Sequence, residues 1–339
     1  MKAHVVVAIS LLVVVIAMAN LFPVRAQEAS QPAEEATSNN GQAATKNWAA
    51  GNPLKIAQLK WYQANQTTSF TVGKTQNSNP YGLAFDGANI WTANSEGTVT
   101  KLRASDGATL GNFEVGGTPT GIAFDGANLW VTNWAPKGSV TKVRASDGKI
   151  LGTFPLGSYP FWLAFDGEDI WVVNGPGVSK LRASDGKNLG TFRLKSGGFA
   201  VAFDGTYVWV TGGDGPDRVT RFKRDGSSAG QFQVGARPYG VAFDGVNIWT
   251  ANDGDGTVSK LRASDGKTLG TFPVSGLPYG ITFDGANIWV TQDPGLVELR
   301  ASDGALIGNF NANGGSTGVA FDGANIWVSI SLGNYVLKF

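Results

Sequence analysis

The chain has no cysteine, and its single histidine, His4, lies in the first few residues. The first absence excludes disulfides, thiolate chemistry, cysteine-ligated metals and lipobox-type lipidation, so the fold must be held by its core alone. The second leaves residues 27–339 without an imidazole for acid–base work or for a zinc site. There is no G-x-x-x-x-G-K-[ST] phosphate loop. Charge is also scarce, at 16% of residues, with 27 Lys and Arg against 26 Asp and Glu. A near-neutral surface gives no electrostatic case for nucleic acid or for anionic lipid.

What is abundant is glycine, 47 of 339 residues, and apolar side chains, at 42%. The N-terminus reads as an export signal. Lys2 is followed by an apolar run over residues 5–18, and Val24-Arg25-Ala26 offers a small-x-small cleavage site. Residues 1–26 are therefore expected to be a cleaved signal peptide, which places the mature protein outside the cell or in the periplasm. An outward-facing N-terminal membrane anchor is the alternative, because the apolar run extends to Phe22. Residues 27–50 are rich in Ala, Gln, Asn, Ser and Glu and are expected to be a disordered linker.

Residues 51–339 are governed by an internal repeat. Phe-Asp-Gly recurs with its phenylalanine at 85, 124, 165, 203, 243, 283 and 321, and a tryptophan stands six residues after each. Periods of about 40 residues are the mark of repeat architectures. Each unit holds four short runs rich in Val, Ile, Thr, Phe and Trp, with Asp-Gly between the first two and again between the last two. Asp-Gly suits a tight hairpin because both residues tolerate positive φ. Four antiparallel strands in about 40 residues make a propeller blade, so the chain is predicted to be all-β, a seven-bladed β-propeller. The last copy runs out after its third strand. Residues 56–73 align without a gap on residues 140–157, so residues 68–72 are expected to supply the missing outer strand. Either residues 56–60 or residues 335–339 could supply the third strand.

Within the first strand of a unit, Leu83 and Phe85 point to one side and Gly82 and Ala84 to the other. Large residues of one blade can then meet small ones of the next. Trp91, Trp130, Trp171, Trp209, Trp249, Trp289 and Trp327 are expected to form the interblade core.

The run PYGVAFDGVNIWTAN at 238–252 resembles the YVTN-type bacterial propeller repeat, and it is similar to repeats of the streptogramin B lyases and NHL-like propellers. The lyase resemblance implies magnesium and a catalytic histidine with an acidic partner. With no histidine after His4, those catalytic positions have nothing here to map onto.

Comparing the copies with one another locates a candidate site. The turns between first and second strands and between third and fourth strands are nearly constant, and both fall on one face. The loops on the opposite face vary: NSEG, NWAPKG, NGPG, GGDGPD, NDGDG, QDPG and ISLGN join second to third strands. Diversified loops are where function concentrates. On that face Tyr81, Phe161, Phe199, Tyr239 and Tyr279, with Thr120 and Thr317, enter the first strands, and Trp134 and Trp162 lie nearby. They read as a stacking platform for a sugar or other flat ligand, or as a plug of the channel mouth. Asp214, Asp253 and Asp255 are candidate calcium or magnesium ligands, or exposed turn residues. Asn94, Asn133, Asn174, Asn252 and Gln292 end the second strands, to bond their own loops or to face a ligand. The repeated turn aspartates read as hairpin residues, and the basic residues of the third strands, such as Lys101 and Arg103, as solvated side chains.

The expectation is an exported, non-catalytic, monomeric propeller that binds a saccharide, an envelope component or a protein partner, with no resident cofactor. The alternative is a metal-assisted lyase or lactonase using Asp214, Asp253 and Asp255.

Overall fold

The Phe-Asp-Gly turns set the geometry of every blade. In the first blade Asp86 Oδ1 accepts the backbone N–H groups of Ala88 and Asn89 at 3.0 and 2.7 Å, and Oδ2 accepts the indole N–H of Trp91 at 2.7 Å. The same aspartate-to-indole bond recurs in all seven blades at 2.7–2.9 Å. The turn thus grips the residue that fills the core. The sequence-based reading of these turns needs one correction. Only the glycine takes positive φ (Gly87 at 95°, Gly107 at 74°). The aspartate keeps an ordinary backbone because its carboxylate must reach forward to the N–H groups beyond it.

The computed structural model describes residues 68–175, 177–212, 217–312 and 314–339. The expected signal peptide, the linker, residues 56–60 and Asp214 lie outside them. The described residues form seven four-stranded antiparallel sheets. The first blade is Pro80–Phe85, Asn89–Asn94, Thr98–Arg103 and Thr109–Glu114, and the fifth is Pro238–Phe243, Asn247–Asn252, Thr257–Arg262 and Thr268–Pro273. The second, third, fourth and sixth blades begin near residues 119, 160, 198 and 281. The seventh blade combines Ser316–Phe321, Ile326–Ile330 and Tyr335–Lys338 with Thr68–Thr71 as its outer strand, in register Phe70 opposite Val336. Residues 335–338 therefore are its third strand. Consecutive inner strands lie against each other, and the first meets the seventh, so the ring is closed.

The core lies between blades. Trp91 packs on Ile122, Leu129, Val143 and Ala145 of the second blade, and Trp327 packs on Leu83, Ile90 and Leu102 of the first. Six of the seven recurrent tryptophans are fully buried, and Trp289 is partly exposed. Close approach along the channel demands small residues: a Cβ on Gly82 would stand 2.6 Å from the Thr120 carbonyl oxygen. At the rim, the outer-strand Phe113 presses on Gly148 of the next blade's second turn, where a Cβ would fall 2.0 Å from the ring. That glycine serves twice, through its φ of 74° and through its missing side chain.

The basic residues of the third strands are not solvated tails, which corrects the reading of Lys101. At six interfaces a cation (Lys101, Lys142, Lys180, Arg221, Lys260 or Lys338) stands 4.9–5.4 Å from its own blade's recurrent indole. It also donates to a carbonyl in the next blade's second turn at 2.6–3.0 Å. The cation is drawn inward because the ring face and the carbonyl offer it two partners in one place. Arg103 behaves as expected, pairing at the surface with Asp106. The third blade's first turn departs from the common form as FDGED (165–169) and the fourth blade's second turn as RDGS (224–227), and the two meet: Arg224 bonds Asp166 and Glu168, while Lys180 pairs with Asp169.

Candidate functional site on the variable face

The inner strands begin at the mouth of the channel, and a proline opens most of them. The residue ahead of the proline turns the chain sharply. Asn79, Tyr159 and Arg237 are the three described non-glycine residues at positive φ, at 43°, 49° and 51°. Each precedes a proline, where such a conformation is disfavoured. All three lie on the variable face.

The aromatic residues expected there do gather, but on one side. Tyr239 is the hub. Its ring lies 4.3 Å from Tyr279, 4.9 Å from Phe199 in a stacked arrangement, and 5.9 Å from Phe161 edge-on. Offset and edge-on pairs of this kind are the favourable ones. Tyr81 is close enough for its phenol to influence those of Tyr239 and Tyr279. The remaining entry residues turn into the sheets. Thr120 bonds Thr132 and Thr317 bonds Ser329, each at 3.0 Å. The aromatic entry residues therefore form an arc on one side of the channel mouth. Trp162 contributes from below. It sits edge-on to Phe161 at 5.7 Å and packs against the core of the fourth and fifth blades.

Trp134 stands apart from the arc. It pairs with Tyr159 at 4.9 Å, and both are well exposed, at 41% and 40%. The backbone N–H of Trp134 bonds the Thr118 carbonyl at 2.8 Å, and the backbone N–H of Tyr159 bonds the Ala135 carbonyl at 2.7 Å, which ties the loops of the two rings together. Tyr159-Pro160-Phe161 joins this pair to the arc. Sequence reasoning missed Tyr159. Its signal was position, directly before the proline that opens an inner strand.

The phenols of the arc are neutral. Burial pushes Tyr81 up. Burial, the neighbouring tyrosines and the Asp253 carboxylate push Tyr239 well above its usual range. Burial and Asp253 push Tyr279 to about 12. At neutral pH these groups are hydrogen-bond donors and apolar surface, not phenolate bases.

The acidic candidates are engaged within the chain. Asp253 is buried and paired with Arg237 through Oδ2, while its Oδ1 is buried without a partner. Asp255 accepts the Ala236 N–H and the Thr257 hydroxyl at 2.7 and 2.6 Å. Asp217 accepts the Arg237 N–H at 3.3 Å. Among the described residues no three His, Asp or Glu side chains converge to hold a metal. The terminal amides face the blade interior. Asn94 donates to Thr98 and Thr100, Asn133 to Ser139 and Thr141, and Asn252 to Thr257 and Ser259. These three tie second strand to third, whereas Asn174 donates to the Leu156 carbonyl at 3.2 Å and Gln292 to the Ser275 hydroxyl at 3.1 Å, both at the end of the preceding blade.

An open groove of about 630 Å³ lies on the opposite, uniform face between the first two blades, walled by Asp86, Lys101, Phe124 and Arg144. Its walls are the turns and clamps found at other interfaces, so it reflects blade packing.

No family model matches the chain, and no curated protein matches it. Among solved structures it is similar to the structure of U3-55K, with a TM-score of 0.71 and 13% identity, over 80% of this chain and 97% of that one. It is also similar to Kuenenia stuttgartiensis hydrazine synthase, with a TM-score of 0.67 and 16% identity, over 79% and 97%. At these identities the likeness concerns the fold, and both agree with the seven-bladed propeller described above.

Proposed function

We propose that this chain is an exported binding module of the YVTN-type, streptogramin-lyase-like propeller group, and that its variable face takes a saccharide without transforming it. The observation that carries this reading is the exposed Trp134–Tyr159 pair, continued through Phe161 to the Tyr239–Tyr279 cluster. Aromatic faces stack on the apolar faces of sugar rings, and neutral phenols donate to hydroxyl groups. The opposite face is built of near-identical turns whose carboxylates are consumed by their own backbones and indoles. The neutral phenols and the lack of histidine after His4 support binding over proton transfer.

A glycan array probed with the full chain, followed by calorimetry on the best hit, tests the reading. Trp134→Ala and Tyr279→Ala should each weaken binding at least about tenfold, a loss of about 1.4 kcal/mol, with no consumption of ligand. Binding unaffected by both changes would refute the site. Opening of a lactone in the presence of magnesium would replace the reading with a lyase.

A further inference from the structure

Six interfaces share the cation described above, poised over an indole and bonded to the next blade. The seventh interface, between the sixth and seventh blades, does not. Glu298 stands directly across from Trp289, in the register that places Lys101 across from Trp91. The reversal of charge coincides with a change in the partner. The seventh blade draws its fourth strand from residues 68–71, and among the described residues no second-turn carbonyl of that blade stands beside the third strand of the sixth. Phe310, whose counterpart Phe272 presses on a turn glycine, meets the ring of Phe339 instead, at 6.2 Å.

Three consequences follow at this place. Trp289 keeps part of its surface exposed, unlike its six counterparts. Asn287 turns its amide from the turn aspartate to Glu298, at 2.8 Å, whereas Asn89, Asn128, Asn247 and Asn325 all bond their own turn aspartates. Two carboxyls, Glu298 and Asp284, are left facing one region. Among the described residues neither joins an ion pair and no cation lies over Trp289. Burial and the Asp284 charge push the Glu298 carboxyl up, against the pull of Asn287. That is the behaviour of acidic groups brought together with no positive charge between them.

The chain itself shows six times what this kind of place accepts. We propose that the partly exposed Trp289, flanked by Glu298 and Asp284, receives a primary ammonium group carried on an alkyl chain from outside this polypeptide. The ring supplies the quadrupole, the two carboxyls supply charge and acceptors, and Phe310, 5.2 Å from Trp289, gives the alkyl stem an apolar wall. A polyamine and a lysine side chain of a partner protein present the same chemistry. The site lies on the uniform face, so it is independent of the saccharide reading.

The test follows the indole N–H signal of Trp289, assigned with Trp289→Phe, in the nitrogen-15 NMR spectrum of the full chain. The probes are n-butylammonium, spermidine, an acetylated lysine amide and calcium chloride. The expected result is a saturable shift of that signal with the ammonium probes. Glu298→Gln should weaken the effect roughly tenfold. Glu298→Lys, which installs the cation found at the other interfaces, should abolish it while near-ultraviolet circular dichroism stays native. Should that variant misfold, Glu298→Gln with a native spectrum decides the matter. Tighter binding of spermidine than of the lysine amide identifies a polyamine, and the reverse order a partner's lysine. The proposal is overturned if no ammonium probe gives a saturable shift, if the shift survives unweakened in Glu298→Gln, or if calcium moves the signal and ammonium does not.

Discussion

Asp244 offers the sharpest check on how each blade is held. Its Oδ2 accepts the indole N–H of the fully buried Trp249 at 2.7 Å, and its Oδ1 accepts the N–H groups of Val246 and Asn247 at 2.9 and 2.6 Å. Replacing it with alanine strands the indole donor in the core, at about 2 kcal/mol, and releases the turn, at about 1–2 kcal/mol more. A total of about 3–4 kcal/mol is expected. Asparagine can turn its one acceptor oxygen to the indole or to the turn but not to both, so Asp244→Asn should lose about half as much. Asp265, in the second turn of the same blade, is exposed and bonds Lys267 and Arg262 at 3.0 Å each. Its alanine variant should be hard to tell from the parent. Urea unfolding followed by tryptophan fluorescence, with an unchanged m-value, measures all three. Equal losses for Asp244→Ala and Asp265→Ala, or a harmless Asp244→Asn, would refute the reasoning. The effect also has a pH signature. Burial alone would raise the Asp244 carboxyl, but the Trp249 indole, Asn247 and the turn N–H groups together hold it below its usual range, as their equivalents do for Asp86, Asp125 and Asp322. A carboxyl lowered by folding stabilises the native state above its unfolded value of about 3.9 and stops doing so as pH falls through its folded value. The gap between the parent and Asp244→Ala should therefore narrow in acid, below about pH 4.

Three further outcomes are expected. Gly126→Ala places a side chain at φ 96° in open space and should cost about 1–2 kcal/mol in thermal or urea unfolding. Gly148→Ala adds the collision with Phe113 and should cost about 3 kcal/mol or more. Lys142→Met keeps the buried stem but removes the donor to the Ala183 carbonyl at 2.6 Å, for a loss of about 1–3 kcal/mol in the same assay. Tyr159→Asn suits φ 49° better than tyrosine does, so it should leave stability within about 1 kcal/mol of the parent while abolishing saccharide binding in calorimetry.

The ring and its closure could be read directly because each blade repeats the same local instructions. Phe-Asp-Gly followed by a tryptophan six residues on fixes a hairpin and a core residue without reference to anything distant. The segment resembling 140–157 announced the strand at Thr68–Thr71. The clamp of Lys101 was not legible, since its acceptor, Ala145, lies 44 residues away and only the packing of the second blade on the first brings it near. The second duty of the turn aspartates was hidden for a similar reason: the carboxylate reaches both the backbone and an indole five residues on, and spacing alone does not show which way the ring's N–H points. On the variable face the residue types were found, but their grouping was not. Tyr239 is drawn onto Phe199 and Tyr279 because those positions carry rings, whereas Thr120 and Thr317 find hydroxyl partners in their own sheets. Glu298 was visible as LVELR beside TVSKLR, yet its meaning depends on knowing that the lysine it replaces is buried work rather than decoration.

The outer strand Thr68–Thr71 runs antiparallel to Tyr335–Lys338, and the latter descends from a variable loop toward the uniform face. The chain accordingly joins the disc at Thr68, on its perimeter and beside the uniform turns. A surface attached at Thr68 itself would hold the disc by that edge and leave the Trp134–Tyr159 side facing away from it. Attachment at that edge should for that reason leave the diversified loops free to meet what passes, while a label placed at Gly126 or Gly323 would sit on the sheltered side.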